Sequence, residues 1–182
     1  MALTATLHNF RLALSDSDRG VYETLDLRVA RHPSETAPYL LTRVLAYCVF
    51  WEAEIAFSKG LSTTEEPAVW VRELDGRVKL WLDVGHPSAE RLHKASKLAE
   101  RVIVCTYQEP HSLQRSLAGE RIHRGEEIEL VAFPKPLLDA LEAELEKRMS
   151  WEVVVTGGQL YITCNGRTHE GAIQRMPLVA TG

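Results

Sequence analysis

Alternating hydrophobic and polar positions at the start of the chain predict a β-hairpin. Residues 4–14 and 20–31 alternate in this way on either side of the polar, turn-forming sequence SDSDRG. The end of the chain shows the same pattern, because glycine-containing turns at 157–158 and 165–166 separate three short alternating runs. We therefore expect β-strands at both ends of the sequence.

A helical repeat of apolar residues follows the first hairpin. Apolar side chains recur at helical spacing over residues 41–56. Pro38 is tolerated only in the first turn of a helix, so the helix is predicted to begin between Ser34, its preferred N-cap, and Thr36. A glycine readily takes the left-handed conformation of a C-cap, so the predicted end lies near residues 59–60.

A second hairpin is predicted in the middle of the chain, where an Asp-Gly pair at 75–76 stands between two runs of strand-forming residues. If the turn has two residues, the residue numbers of each cross-strand pair add up to 151, so that Trp70 faces Trp81. Glu66 and Asp83 then share one face of the sheet as diagonal neighbours, with backbones about 7–8 Å apart. Both carboxylates can reach one cation at this rim.

The rest of the chain alternates helices and strands. Helices are predicted over residues 88–100, 111–119 and 135–148, and strands over 101–107 and 127–132. Strand, helix and strand in this order favour a parallel crossover. Because 182 residues correspond to about one domain, the sequence predicts a single α/β domain over 1–182, with a mixed β-sheet flanked by helices.

Composition and charge narrow the classes of function. The 21 basic and 25 acidic residues give a net charge of −4, which excludes a wholly basic nucleic-acid coat but leaves local basic patches possible. The odd number of cysteines favours buried thiols over disulfides. No apolar stretch is long enough for a membrane span and no secretory leader is recognisable, so the cytoplasm is the expected location. Neither GxGxxG nor GxxxxGK occurs, which argues against a nucleotide cofactor.

The two acids at the predicted rim are the sharpest candidates for chemistry. Oxygen ligands of this kind suit Mg²⁺ or Mn²⁺, which takes one or two carboxylates and completes its shell with water and substrate phosphate. Lys94 flanks the packing stripe of its predicted helix and can reach the rim, whereas Lys97 falls nearly opposite and should point to water. The alternative is that Glu66 only caps a loop and that Asp83 is a solvated acid.

Several other residues carry weaker signals with structural alternatives. Glu52 falls on the apolar face of the long predicted helix, where it either pairs with a basic group or emerges at the edge of the core. The basic segment 119–127 could touch a phosphate backbone or form a solvated loop. The three histidines near the rim lack zinc-ligand spacing and are interpreted as structural: His32, His86 and His93.

Four sequence segments in order, ARHPSET, EEPAVW, WLDVG followed by a proline, and LHKASK, resemble the YaeQ family of bacterial proteins over essentially the whole chain. The resemblance implies a variant of the PD-(D/E)XK nuclease fold, whose core is restriction-endonuclease-like. By that resemblance Glu35 corresponds to the acid of the first core helix, Glu66 to the first strand acid and Asp83 to the acid of the (D/E)XK element. Gly85 stands where the motif has its lysine, and the resemblance allows that lysine to have migrated to the following helix, where Lys94 fits better than Lys97.

The leading functional hypothesis is a metal-dependent phosphodiesterase, a hydrolase that acts on nucleic acid. Glu66 and Asp83 would hold Mg²⁺ or Mn²⁺, with the main-chain carbonyl of Val84 as the third ligand that the resemblance implies. Lys94 would position the attacking water or steady the transition state, and Glu35 would be an outer ligand or a water-orienting base. The competing hypotheses are a non-catalytic nucleic-acid-binding or regulatory protein that retains the nuclease fold, and a hydrolase of a smaller ligand.

Overall fold

The computed structural model describes residues 4–59 and 65–179. It begins with the predicted hairpin, in which β1 (Thr6–Asp16) pairs antiparallel with β2 (Val21–Arg31) along its whole length. The turn between them closes at Gly20, which has a φ of +69°. Alternation along β1 buries every second side chain, as expected of a sheet with one face toward the core.

The first sheet has five strands and combines the two ends of the chain. Three strands follow one another near the C-terminus: β8 (Arg148–Thr156), β9 (Gln159–Cys164) and β10 (Arg167–Ala172). The strand order is β10-β9-β8-β1-β2, and β1 pairs with β8 in parallel. The inward-facing side chains of β1 and β8 include Phe10, Leu12 and Trp151, all buried. The strands predicted at the two ends of the sequence therefore form one sheet.

The second sheet has six strands, of which five come from the middle of the chain and the sixth is β11. They are β3 (Ile55–Phe57), β4 (Val69–Arg72), β5 (Val78–Val84), β6 (Ala99–Thr106), β7 (Glu129–Ala132) and β11 (Gln174–Pro177), in the order β11-β7-β6-β5-β4-β3. The neighbours β5, β6 and β7 are parallel, and the outer pairs are antiparallel. The expectation of one mixed sheet is corrected here, because the strands separate into two mixed sheets.

The register of the central hairpin is the predicted one away from its turn. Trp70 pairs with Trp81, as a sum of 151 requires. The turn itself differs from the two-residue prediction, since the main-chain N–H of Glu73 donates to the carbonyl of Arg77 and only Gly76 has a positive φ. A β-bulge after Val71 restores the register.

The first helix begins where predicted and ends much earlier. In α1 (Ala37–Val49) Thr36 is the N-cap, and its hydroxyl accepts the N–H of Tyr39 at 3.3 Å. The predicted end near residues 59–60 is wrong, and residue 60 itself lies outside the described residues. Glu54 has a φ of +70°, and Ile55 then enters β3, where it pairs with Val71 of β4. Its apolar side chain fits a helical spacing but is buried by a strand partner.

The described part of the chain contains three further helices and one 3₁₀ turn. They are α2 (Ala89–Leu98), α3 (Pro110–Leu117), the 3₁₀ turn Gly125–Glu127 and α4 (Lys135–Ala143). The last helix was expected to reach residue 148, which instead opens β8. Arg124, in the basic segment 119–127, donates to the carbonyls of Ser96 and Ala99 at 2.5 and 2.7 Å, so that it caps the C-terminus of α2.

Two apolar clusters lie on opposite faces of the second sheet. The larger joins one face of that sheet to α1, α4 and the inner face of the first sheet, and includes Leu80 and Leu82. The smaller packs the other face against α2 and α3, and includes Trp81 and Leu92. The three cysteines are buried free thiols, as expected. Among the described residues, no helix has the length and apolar character needed to cross a bilayer.

Candidate functional site

Asp83 and Arg91 form the centre of the candidate site. Asp83 lies on β5 and is 3% exposed, and Arg91 lies in the first turn of the helix that follows, behind the N-cap Ser88. The Nε and Nη2 atoms of Arg91 donate to the two carboxylate oxygens at 2.8 and 2.9 Å. These hydrogen bonds raise the pKa of Arg91. Both oxygens of Asp83 are therefore bound by one guanidinium in a bidentate pair.

The same guanidinium connects Asp83 to Glu66. Its Nη2 atom also donates to the main-chain carbonyl of Glu66 at 2.7 Å. The Glu66 carboxylate accepts the main-chain N–H of Lys59 at 3.2 Å, which joins the residues that follow β3 to those that precede β4. The structure thus brings Glu66 and Asp83 to one lip of the second sheet, and we call these two residues and Arg91 the acidic lip.

The cation over Asp83 is an arginine instead of the lysine suggested by the sequence. Lys94 lies one turn further along α2, and its Nζ atom pairs with Glu90 at 3.2 Å with 72% of the lysine side chain exposed. Arg91 lies closer to the end of β5, because it belongs to the first turn after the strand. The expectation that the Lys94 amine lies beside the two carboxylates is therefore wrong, because Lys94 pairs with Glu90 and Arg91 binds Asp83.

The backbone conformation at residue 85, where the PD-(D/E)XK motif has its lysine, disfavours lysine. Gly85 has a φ of +96°, a conformation that L residues rarely adopt. An added Cβ would meet the ring of Tyr39 at 3.8 Å, an ordinary contact, so the constraint comes from the backbone and not from crowding. Val84, the last residue of β5, packs its side chain into the core and pairs with Cys105 of β6.

Glu35 lies close to this region, in the segment before α1 and not within the helix as the resemblance implied. It is 4% exposed, and its partner Arg43 is 1% exposed. Arg43 donates from Nε and Nη2 to the two carboxylate oxygens at 2.7 and 2.9 Å, and the N–H of His32 donates to one of them at 3.1 Å. Burial raises the pKa of Glu35, and the charge of Arg43 opposes that shift.

Tyr39 stands between the two buried ion pairs. Burial raises the pKa of its hydroxyl, and the charges of Arg43, Glu35, Asp83 and Arg91 all act on it. The two pairs therefore border the same tyrosine at the start of α1. Sequence reasoning missed both arginines and Tyr39, although Arg91 precedes Lys94 by one helical turn and so shares its face.

A groove of about 720 Å³ opens beside the acidic lip on the α2 side of the sheet. Its basic lining consists of Arg91, Lys94 and Lys97, and Trp81 contributes apolar surface. Lys97 is exposed to water, as expected, and it also lines this open groove. Glu65 and Glu90 line the same groove, so its three cations exceed its acids by one, and two of these cations are in ion pairs, Lys94 with Glu90 and Arg91 with Asp83.

The other singled-out residues have structural partners. Glu52 lies beyond the end of α1 and pairs with Lys79 at 2.5 Å. The Nδ1 atom of His32 forms a hydrogen bond with the hydroxyl of Ser34 at 2.7 Å. The N-cap of α1 is Thr36 and not Ser34. Trp70 is half-buried beneath the guanidinium of Arg72, 4.2 Å from the ring centre. His93 accepts the main-chain N–H of residue 123 at 3.1 Å, and His86 is exposed.

These features define a class of protein: a single-domain α/β protein of two mixed sheets with an acidic lip that is bound by arginine. The same architecture occurs in the crystal structure of YaeQ protein from Pseudomonas syringae, with a TM-score of 0.85, 32% identity, and coverage of 94% of this chain and 96% of that one. The crystal structure of YaeQ protein from Xanthomonas axonopodis pv. citri is similar with a TM-score of 0.86 at 29% identity, covering 98% of this chain and all of that chain.

Sequence comparison agrees with the structural match. A family model described as YaeQ protein matches residues 1–173, so the chain belongs to the YaeQ family. The uncharacterized protein YaeQ of Escherichia coli (strain K12) is 35% identical over 107 residues, and that of Salmonella typhi gives the same values. The aligned region spans 59% of this chain and 59% of each of these relatives.

Proposed function

We propose that this protein is a divalent-metal-dependent phosphodiesterase that acts on nucleic acid, with the acidic lip as its Mg²⁺ or Mn²⁺ site. The observation that supports this is the convergence of three oxygens on one cation. The two carboxylate oxygens of Asp83 and the main-chain oxygen of Glu66 all lie 2.7–2.9 Å from nitrogens of Arg91. A position that already favours a guanidinium is electrostatically suited to a metal ion.

The donor set fits a hard cation. Carboxylates of Asp83 and Glu66 and the carbonyl of Val84 would hold the ion, and water and a phosphate oxygen would complete its shell. When bound, such an ion lowers the pKa of a bound water and neutralises charge on the phosphate. The PD-(D/E)XK resemblance supports the same assignment of the two acids.

Arg91 has to leave Asp83 before a metal ion can bind there. Guanidinium groups bind phosphate in the same bidentate manner as carboxylate. A phosphodiester that enters the groove can therefore take over Arg91 and free the Asp83 carboxylate. Substrate binding and metal binding would then reinforce each other.

Two further residues have assigned roles in the proposal. Lys94 lines the groove with most of its side chain exposed, so it can position the attacking water or stabilise the charged transition state. Glu35 is the outer ligand or water-orienting base, and it must be released from Arg43 to act. The reaction would join a water oxygen to phosphorus, break one ester bond and pass a proton to the leaving oxygen.

The bidentate pair also favours a second candidate function. If Arg91 stays on Asp83, the Asp83 carboxylate is not available to a metal ion, and the groove would bind nucleic acid through its lysines without cleaving it. A third possibility is hydrolysis of a smaller phosphoester in the same groove.

Calorimetric titration with Mg²⁺ and Mn²⁺ tests the metal site. The wild type should bind, Asp83→Asn should lose binding, and the control Asp139→Asn, at a remote surface pair with Lys135, should bind as the wild type does. Arg91→Ala should bind more tightly than the wild type, because a competing cation is removed. Failure of the wild type to bind either ion would overturn the catalytic proposal.

Incubation with plasmid, single-stranded DNA and RNA in the presence of Mn²⁺ tests the activity. Lys94→Ala should abolish cleavage with metal affinity retained, and Lys135→Ala is its matched control because both lysines form exposed i,i+4 pairs on helices. Lys97→Ala decides which groove lysine replaces the missing motif lysine. Retention of nucleic acid at low salt without cleavage would support the binding protein, and no retention would support the smaller substrate.

A further inference from the structure

Three side chains of types that can ligate a metal ion meet between α4 and the first sheet, separate from the acidic lip. The ligand atoms of Glu144, Cys164 and His169 all lie within 4.8 Å of one another. One carboxylate oxygen of Glu144 accepts from the thiol of Cys164 at 3.1 Å and bonds to Nε2 of His169 at 2.5 Å. Cys164 is 2% exposed, and the side chains of His169 and Glu144 are 21% and 14% exposed.

The fold explains why these three residues meet. In the β9–β10 pair, Cys164 faces Arg167 and Ile162 faces His169, so Cys164 and His169 are diagonal neighbours on the inner face of the sheet. Gly171, two residues further on the same face of β10, allows close packing of α4, because a Cβ there would lie 2.4 Å from the ring of Pro134. Glu144 is the C-cap of that helix and reaches the two strand residues from it.

The kinds of ligand atom discriminate between metals. A thiolate, an imidazole nitrogen and a carboxylate oxygen are ligands of Zn²⁺ and its substitute Co²⁺, whereas Mg²⁺ selects oxygen. A thiolate and a carboxylate carry two negative charges, and one divalent ion with a neutral imidazole brings the total to zero. Three protein ligands leave one position of a tetrahedral shell for water.

We infer that Glu144, Cys164 and His169 form a Zn²⁺ site with one open coordination position. A tetrahedral zinc ion with bonds of about 2.0–2.3 Å keeps its ligand atoms roughly 3.3–3.7 Å apart. The hydrogen-bonded atoms at 2.5 and 3.1 Å need to separate by about 0.5–1 Å to admit the ion. Glu144 lies at a helix end with part of its side chain exposed, so its carboxylate can make this movement.

The same contacts argue against a nucleophilic role for the cysteine. Burial and the neighbouring carboxylate raise the pKa of Cys164 to about 12, so the thiol keeps its proton. Its hydrogen-bond partner is the carboxylate of Glu144, and no imidazole base takes that place. A metal ion supplies the positive charge that such a thiol lacks, since a coordinated thiol is deprotonated.

Titration of the purified, reduced full-length chain with Co²⁺ tests the site. We expect one equivalent to give the intense near-ultraviolet sulfur-to-cobalt charge-transfer band and the visible bands of a tetrahedral ion, and Zn²⁺ to displace it while Mg²⁺ does not. Cys164→Ala should remove the charge-transfer band, and His169→Ala and Glu144→Gln should each weaken Co²⁺ affinity at least tenfold. Cys48→Ala and His111→Gln are the matched controls and should leave the spectrum unchanged.

Asp83→Asn separates this site from the acidic lip. The cobalt spectrum should persist in that variant even if the proposed Mg²⁺ binding is lost or never existed. Absence of a charge-transfer band in the wild type would overturn the inference, and so would a band that survives Cys164→Ala. Circular dichroism of each variant checks folding. If the cysteine variant does not fold, the Co²⁺ affinity of Glu144→Gln still tests the site.

Discussion

Replacing Glu35 by alanine should remove one half of an ion pair that lies almost entirely inside the protein. The side chains of Glu35 and Arg43 are 1% and 2% exposed and share two hydrogen bonds. After the substitution, Arg43 keeps a bond to the carbonyl of Ala30 at 2.9 Å but loses its counter-charge. A buried charge without a partner is the expected cause of destabilisation.

The magnitude follows from the burial of the pair. Removing one partner of a buried ion pair costs about 3–5 kcal/mol. That is a large share of the roughly 5–15 kcal/mol by which a protein of this kind is stable. At about 2–4 °C per kcal/mol for this chain length, the thermal midpoint should fall by roughly 6–20 °C.

Urea unfolding followed by circular dichroism and tryptophan fluorescence measures this loss. Asp139→Ala breaks the exposed pair with Lys135 and serves as the control, with an expected loss below about 1 kcal/mol. The double variant Glu35→Leu/Arg43→Met should recover most of the stability that Glu35→Ala loses, because no unpaired charge remains.

Two results would refute this reasoning. One is a cost for Glu35→Ala that is as small as the cost at the exposed control pair. The other is a double variant that is no more stable than the single one. If the proposed cleavage activity is found, a Glu35 variant that loses it but keeps its stability would instead identify Glu35 mainly as a participant in the reaction.

Two other predictions concern the backbone and pH. Gly85→Ala should lower the free energy of unfolding by about 1–2 kcal/mol, because the backbone is left-handed there while space for a Cβ exists; an unchanged urea midpoint would contradict this. The carboxylate of Asp18 accepts the main-chain N–H groups of residues 157 and 158 at 2.7 and 2.9 Å, which lowers its pKa. Since the folded pKa is below the unfolded one, the stabilisation is complete above the unfolded pKa and is lost as the pH falls through the folded one. Wild type and Asp18→Asn should therefore differ most in urea midpoint near neutral pH and converge in acid, and a difference that grows in acid would refute the assignment.

Elements that depend on local chemistry were predictable from the sequence. The first hairpin and the start of α1 follow from alternation and capping, and Trp70 pairs with Trp81 as predicted although the turn does not have the two residues assumed. Each of these signals acts over a few residues, so it needs no knowledge of distant partners. The main-chain carbonyl of Glu66, which precedes β4, binds the same guanidinium as Asp83, whereas the predicted meeting of the two carboxylates stays a prediction.

The errors arose where a distant partner decides the structure. Residue 55 fits the helical repeat, but pairing with β4 places it in a strand. The division into two sheets depends on β1 meeting β8, which lies more than a hundred residues away. Arg91 took the position expected for Lys94 because the placement of α2 against β5 decides which basic side chain reaches Asp83.

By itself the sequence determined the hairpins and most helix starts, because these follow from side-chain period and turn chemistry. Only the tertiary structure decided that Arg91 binds Asp83, that Arg43 binds Glu35 and that Cys164 meets Glu144. Each of the two ion pairs joins residues eight positions apart on different elements, and Cys164 lies 20 positions from Glu144. Their partners are fixed by how sheets and helices pack, which no local pattern records.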